Sequence, residues 1–565
     1  MNCQTLKREV LKKASYISVV ILLLAILPSS VIFGQLSSGG VPPSTLYSLP
    51  AYDHNVISID SPDMNVIRNE DEKFPSPYRF AVILPVDISP ETSGKWEQIP
   101  GGGHIWRVEV TAPGAQALSA FFDKFVLPEG GKVFLYNYSR TQVIGAFTSR
   151  NNVPGGYFAT ELIAGDRLIM EYYQPSDVQG APLIHIYSIN YAYRGVGFLD
   201  ESKGTESYAG ICEVNVKCPE CDAWQNERKG VMRIMIVKGG SSWWCSGSLL
   251  NNARNNNVPY VLTADHCFSG STTDDLQQWV FYFGYESILC VNPGHTDYPT
   301  PKTMTGATLK AHGGHSGDTG SDFCLVLLNQ NVPDTFNVFF NGWNRKDTTS
   351  PSGVGIHHPA GDVKKISTYD KPLVTSYFES NPNPCHWKVS WIATTNGHGV
   401  TEGGSSGSPL FDNYGRIVGT LTGGDSYCDS ADLNLPDFYG KFSWSWDKNG
   451  TDSTSRLKDW LDPDNTGIQK LDGLPLGIPT LSRNFTIKLS PNPFTDKILV
   501  KIDGKEGQTG TIEILNLMGM KLWSGTVTPV GSSPFSLSLP GLSSGMYFLR
   551  IKFPGSVSTV KMIRQ

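Results

Sequence analysis

Three short stretches, far apart in the chain, carry residues that could act together on an acyl group. The first is Leu262-Thr263-Ala264-Asp265-His266-Cys267. The second is Gly320-Ser321-Asp322-Phe323-Cys324, and the third is Glu402-Gly403-Gly404-Ser405-Ser406-Gly407-Ser408-Pro409. A serine hydroxyl is a weak nucleophile near neutral pH and needs a base beside it. An imidazole, with an ordinary pKa near 6.5, can take that proton and give it back to a leaving group. A carboxylate behind the imidazole fixes its tautomer and stabilises the imidazolium. The order His266, Asp322, Ser406 is one of the known chain orders for such a set. Each stretch alone is common, since most Gly-Ser-Ser-Gly-Ser runs are loops and Asp322 could simply start a strand. All three in order, with these flanks, point to nucleophilic acyl transfer.

These side chains need rigid elements to hold them. The apolar stretch 260–262 precedes His266, and Asp322 opens the apolar run 323–328, so both read as sitting at strand ends. The glycines around Ser406 allow a sharp turn that aims the Gly404 and Ser406 amides at one point, an oxyanion hole. One such donor lowers a barrier by about 3–4 kcal/mol. Asp265, next to His266, is an unusual neighbour that could stiffen the imidazole or shift its pKa.

Composition agrees with a β-rich chain. Of 565 residues only 17 % are charged, whereas 58 are glycine and 37 proline; about 25 % charged is ordinary. Short strands and many turns are expected rather than long charged helices. The net charge of −6 and the lack of a basic block argue against nucleic acid as a partner. Nine of the ten cysteines lie between Cys212 and Cys428, which separates a cysteine-bearing middle from its flanks.

The first 34 residues read as a secretory signal. Lys7, Arg8, Lys12 and Lys13 precede the apolar run 19–27, which Pro28, Ser29 and Ser30 interrupt. That run is too short to span a bilayer, so no stable membrane span is expected once the signal is removed, and export permits disulfides. Residues 35–203 show alternating stretches at 80–83, 105–110, 132–136, 168–173 and 184–193, separated by turn clusters, which predicts a β sandwich. They carry no catalytic set, and the sharper reading of them is a propeptide. Residues 204–472 form the chemical unit, 473–484 a Pro/Gly linker, and 485–565 a second set of short strands.

Residues 212 to about 465 resemble the lysyl endopeptidases of the chymotrypsin-like serine proteases. The shared stretches include Cys212-Glu213-Val214-Asn215-Val216-Lys217-Cys218-Pro219-Glu220, Cys245-Ser246-Gly247-Ser248-Leu249, Gly355-Ile356-His357-His358-Pro359 and Arg456-Leu457-Lys458-Asp459-Trp460-Leu461-Asp462-Pro463. The resemblance implies a double β-barrel with the active site between barrels, His266, Asp322 and Ser406 as catalytic residues, and no cofactor. It also implies the disulfides Cys212–Cys428, Cys218–Cys290 and Cys245–Cys267. A pair Cys221–Cys385 is a further expectation, with Cys324 a buried free thiol. Cys218-Pro-Glu-Cys221 lacks a second Cys-x-x-Cys to complete a zinc site, so no metal is expected.

The position six residues before Ser406, which often holds an acid in trypsin-like enzymes, is Val400. Asp425, Asp429, Asp432 and Asp437 are candidate acids after Ser406, and the resemblance selects Asp437 as the residue that would read lysine. Thr422, Gly423 and Gly424 would line the same pocket. The family's most active enzymes carry a histidine, stacked on a tryptophan, where this chain has Thr422; the tryptophan's counterpart falls near Tyr377 or Phe378.

The motifs Leu489-Ser490-Pro491-Asn492-Pro493-Phe494, Leu515-Asn516-Leu517-Met518-Gly519 and Gly545-Met546-Tyr547-Phe548-Leu549-Arg550 resemble the sorting domain of the type IX secretion system of Bacteroidetes. That implies an Ig-like sandwich, type IX secretion machinery as a partner, and passage through the periplasm to the surface or medium. The expected protein is mostly β: a chymotrypsin-like double β-barrel flanked by an N-terminal β-rich propeptide domain and a C-terminal Ig-like sandwich. It would act on proteins or peptides, cutting after lysine. A trypsin-like enzyme accepting lysine and arginine, or an inactive protease-fold adhesin, are the alternatives. Lys203-Gly204 is the expected site of self-processing.

Overall fold

In the computed structural model, residues 37–565 are described apart from 48, 50–55, 74–76, 200–208, 293–300, 431, 477–484, 517–520, 530–532, 540 and 554–555. The expected signal and the Lys203-Gly204 bond therefore lie outside the described residues, as does most of the linker. The chain forms two compact units, one ending at Leu474 and one beginning at Pro475. Among the described residues no helix is long and apolar enough to cross a membrane.

Strands dominate because the apolar residues alternate. His104–Thr111, Lys132–Asn137 and Arg167–Gln174 form one N-terminal sheet, with Tyr172 opposite Trp106. Ala117–Val126, Leu183–Ala192 and Tyr78–Ile88 belong to a second. Their inward faces meet in a core containing Trp106, Val108, Phe122, Leu135, Phe158, Met170 and Ile189. This is the sandwich that the alternating stretches predict.

The second sheet does not stop at the sandwich. Tyr78–Ile88 pairs antiparallel with Ser241–Leu250, setting Val82 opposite Ser241 and Tyr78 opposite Trp244. Residues on either side of the expected processing site thus share one 12-stranded sheet. Phe80 is fully buried and stacks on Trp244, 4.0 Å between ring centroids. The Trp244 indole N–H donates to the Gly195 carbonyl at 2.8 Å.

Beyond that seam the sheet curls into the first barrel, built from Val231–Lys238, Ser241–Leu250, Tyr260–Thr263, Val280–Phe283, Lys302–Thr305, Ala307–Gly313 and Phe323–Leu328. Tyr260–Thr263 pairs with Phe323–Leu328 so that Thr263 faces Cys324, which brings the ends leading to His266 and Asp322 together. The second barrel is drawn from a 10-stranded sheet that includes Gly353–His357, Lys365–Tyr369, His386–Val389, Pro409–Asp412, Arg416–Gly424 and Asp437–Lys441. Ser406 lies on the loop just before Pro409–Asp412.

The C-terminal unit is a small sandwich of a three-stranded and a four-stranded sheet. Ile498, Val500, Ile512, Ile514, Leu549, Ile551 and Met562 fill its core. Lys497–Asp503 shows the alternation plainly, with Ile498, Val500 and Ile502 inward and Lys497 and Leu499 outward.

Phe80→Ala should lower the unfolding free energy of the first unit by about 3–5 kcal/mol, the usual cost of emptying a buried aromatic site. Denaturant unfolding followed by tryptophan fluorescence checks this; an unchanged midpoint would mean that the stack on Trp244 contributes nothing to cohesion.

Candidate active site

His266 sits in a one-turn helix, Asp265–Phe268, that begins directly after Tyr260–Thr263. Asp322 is fully buried and grips it at two points: its Oδ1 accepts the His266 backbone N–H at 2.9 Å, and its Oδ2 lies 2.7 Å from Nδ1. A carboxylate only accepts, so the ring proton is on Nδ1 and Nε2 keeps a free lone pair. That Nε2 is shielded from solvent and has no hydrogen-bond partner. Asp322 has a left-handed backbone, φ 50°, a conformation that costs a non-glycine residue about 1–3 kcal/mol. The two-point contact with His266 helps to offset it.

The loop bearing Ser406 packs onto the same turn. The Ser406 carbonyl accepts the Ser246 N–H at 2.8 Å. Gly407, at φ 80°, lies so close that a Cβ there would be 2.2 Å from Thr263 Oγ1 and 2.7 Å from the Ala264 nitrogen. Cys267, bonded to Cys245, adjoins the Ser406 carbonyl. The Ser406 hydroxyl and His266 Nε2 share no hydrogen bond in this structure, a looseness common in sites without substrate.

Backbone accounting picks out two amides. Ser405 N–H donates to the Glu402 carbonyl, Gly407 to Leu421, and Ser408 to Ser405. The amides of Gly404 and Ser406 donate to no described group. Gly404, φ 97°, is wedged against the backbone of residues 358–361, where a Cβ would lie 2.9 Å from the Gly361 nitrogen. Ala360 N–H donates to the Gly403 carbonyl at 2.7 Å, and the Ser246 hydroxyl donates to Gly404 at 2.9 Å.

Of the four candidate acids, Asp425, Asp429 and Asp432 are exposed and Asp437 is fully buried. Its Oδ2 accepts from Trp391 Nε1 at 2.6 Å, Thr401 Oγ1 at 2.8 Å and Ser426 Oγ at 2.8 Å. Its Oδ1 has only a long contact from the Ser426 amide, 3.4 Å. Burial pushes the carboxyl up to about 6 despite these donors. A Cβ on Gly424 would fall 2.0 Å from Oδ1, so glycine is required there.

Thr422 Oγ1 lies 3.1 Å from Nε2 of His386. Phe378 rather than the exposed Tyr377 faces this corner: its ring is 5.3 Å from that of His386, and a Cβ on Gly423 would lie 3.5 Å from it. His386 is buried, and desolvation pushes it down to about 4. As a lone histidine at the start of an apolar strand, it carries no functional signal in the sequence. The Asp265 carboxylate receives the Ser316 N–H at 2.9 Å and lies 2.7 Å from His312 Nδ1, fastening the segment that leads to Asp322.

The disulfides are Cys212–Cys428, Cys218–Cys290 and Cys245–Cys267. The expected pair Cys221–Cys385 does not form: both are separate buried thiols, as is Cys324. Cys385 instead lies against the Asn381 amide and the His386 ring, and burial pushes it up to about 11 and Cys221 to about 12. With Cys218 committed to Cys290, a zinc site at 218–221 lacks its first ligand.

Residues 207–440 match the family of the lysyl endopeptidase C-terminal domain, and residues 488–565 match the secretion system C-terminal sorting domain. A lysyl endopeptidase of Pseudomonas aeruginosa is 26 % identical over 370 residues, covering 62 % of this chain and 76 % of that protein. Among solved structures, the thermostable serine protease AL20 is 15 % identical, with TM-score 0.27, over 38 % of this chain and 92 % of its own. The protease Anisep of Arthrobacter nicotinovorans is 19 % identical, with TM-score 0.28, over 38 % and 90 %. The chain is a serine endopeptidase whose residues 207–440 resemble the lysyl endopeptidases and whose residues 488–565 match a secretion sorting domain.

Proposed function

We propose that this endopeptidase cuts on the C-terminal side of lysine through an acyl-enzyme. Ser406 Oγ attacks the scissile carbonyl as its proton passes to His266 Nε2, whose lone pair the Asp322 contact leaves free. The oxyanion that forms takes hydrogen bonds from the Gly404 and Ser406 amides. Collapse breaks the C–N bond, and the imidazolium protonates the departing amine. A water molecule then attacks the ester as His266 takes its proton; collapse breaks the ester C–O bond, and the imidazolium returns the proton to Ser406 Oγ as the acid product leaves. No cofactor enters this sequence.

The reading of lysine rests on the asymmetry of Asp437. With Oδ2 holding three donors and Oδ1 nearly bare, the carboxylate offers one acceptor to an incoming cation. An ammonium can use a single acceptor, whereas a guanidinium fork gains most from two. This favours lysine over the reading in which both basic residues are accepted. Thr422, Gly423 and Gly424 form the wall beside it.

We further propose that residues 1–34 direct export and that 35–203 are a propeptide removed at Lys203-Gly204 by the enzyme itself. The C-terminal domain is then the address read by type IX machinery on the way to the cell surface or medium, consistent with the sorting-domain match.

Ser406→Ala should abolish peptide hydrolysis and leave the leader uncut. N-terminal sequencing of both proteins checks this, and a Ser406→Ala chain cut at the same bond would rule out self-processing.

Asp437→Asn should lower kcat/KM for lysyl peptides by about 100-fold or more, because a buried cation loses its partner. A mass-spectrometric survey of a mixed peptide library reads this out; an unchanged preference for basic residues would assign the charge to another acid. For the wild type, Asp437 is neutral below about pH 6. Since a cation needs the ionised form, kcat/KM for lysyl substrates should fall as pH drops through that value. The same limb should vanish in Asp437→Asn.

A further inference from the structure

His357, at the end of Gly353–His357, is fully buried, and both ring nitrogens are in contact with serines. Nδ1 lies 2.8 Å from Ser405 Oγ and Nε2 lies 3.0 Å from Ser367 Oγ. The proton directions follow from the outer ends of this chain. Ser367 Oγ donates its one proton to the Val400 carbonyl at 2.9 Å, so it accepts from His357 and Nε2 carries the hydrogen. In a neutral ring Nδ1 then accepts, and the Ser405 hydroxyl supplies that proton. Ser405 Oγ itself accepts the Glu402 N–H at 3.2 Å.

The chain therefore starts at Glu402, passes through Ser405, His357 and Ser367, and returns to Val400. Both ends lie on the same loop, the one that carries Gly404 and Ser406. Every polar group in it is satisfied only while the imidazole is neutral. A charged ring would turn Nδ1 into a donor and force the Ser405 hydroxyl to reverse. Burial holds the ring in the neutral form, pushing it down to about 3, and the nearby Lys365 charge acts in the same direction. Glu213 is the acid facing it, 3.9 Å from Nε2, but burial and the Glu402 charge push its carboxyl well up, so it offers no strong counter-charge.

The loop held in this way connects both parts of the proposed mechanism. Thr401, between Val400 and Glu402, donates to Asp437. Gly404 and Ser406, on either side of Ser405, carry the two free amides. We infer that His357 is a positioning residue for this reaction: through the Ser405 hydroxyl its neutral Nε2–H tautomer sets the aim of the Gly404 and Ser406 amides. It touches neither substrate nor the reacting atoms. The inference rests on Ser406 being the nucleophile.

The test uses the full chain, as wild type and as the variants Ser405→Ala, Ser367→Ala and Ser406→Ala. Two competitive probes are compared, a peptidyl-lysine boronic acid, whose tetrahedral adduct needs the two amides, and n-butylamine, which needs only the cation pocket. Ser405→Ala should lower kcat about 10- to 100-fold, the scale of a weakened oxyanion contact. The boronic acid should weaken by the same factor while the inhibition constant of n-butylamine and KM stay within about twofold, and Ser367→Ala should change in the same direction by less. Nitrogen-15 NMR of the wild type, with the His357 signals assigned by their loss in His357→Gln, should show that ring neutral with its proton on Nε2 down to pH 5. A Ser405→Ala enzyme with full kcat, an equal loss of both probes, or a proton on Nδ1 of that ring would overturn the inference. If Ser406→Ala is dead while Ser405→Ala is normal, this inference alone fails. If Ser406→Ala still hydrolyses peptides, the nucleophile reading fails and takes the inference with it.

Discussion

The two-point contact between Asp322 and His266 is the constraint on which the rest depends. One carboxylate holds both the backbone and the ring of the same residue, at 2.9 and 2.7 Å. It fixes the place of the imidazole and, by fixing its tautomer, leaves the opposite nitrogen bare. Much of the surrounding architecture serves that contact. Pairing of Thr263 with Cys324 brings the two strand ends together, and Asp265 pins the approach to Asp322 through Ser316 and His312. Cys245–Cys267 anchors the turn from behind.

Around this contact the protein buries an unusual amount of polarity. His357, His358, Glu213, Lys364, Lys365, Asp362 and Asp437 all lie out of solvent. Burying such groups costs several kcal/mol each unless they are paired. Hydrogen bonds meet much of that cost: Lys365 donates to Asn215 and Asn292, and Asp437 is held by Trp391, Thr401 and Ser426. What is gained is fixed geometry in the loop 400–406, which touches both the pocket acid and the proposed nucleophile.

Much of this was legible in the sequence, for identifiable reasons. Alternation marked the strands of the N-terminal sandwich and of the C-terminal unit, because one face of each is apolar. The flanks of His266, Asp322 and Ser406 were readable because glycines and strand ends leave local signatures. Asp437 came from resemblance, and among the acids that follow Ser406 burial sets it apart from Asp425, Asp429 and Asp432. Contacts between distant strands were not legible. His386 beside Thr422, the course of Asp265 toward His312, and the chain from Glu402 through His357 to Val400 depend on which segments the barrels bring face to face. The Cys221–Cys385 pair was expected from leftover cysteines alone, and the fold buries the two thiols against different neighbours. Composition also set residues 35–203 apart from the cysteine-bearing middle, yet a backbone ladder, which leaves no compositional trace, runs between them.

That ladder would carry a cost for an enzyme freed of residues 35–203 as proposed above. Residues 78–82 cap the rim of the first barrel along 241–244. A molecule stripped of its leader would present there a row of unsatisfied main-chain donors and acceptors beside a bared indole, Trp244. Such a rim invites association with any extended polypeptide, a second copy included. Under the proposed processing, the timing of that cut would therefore bear on whether the protease remains dispersed.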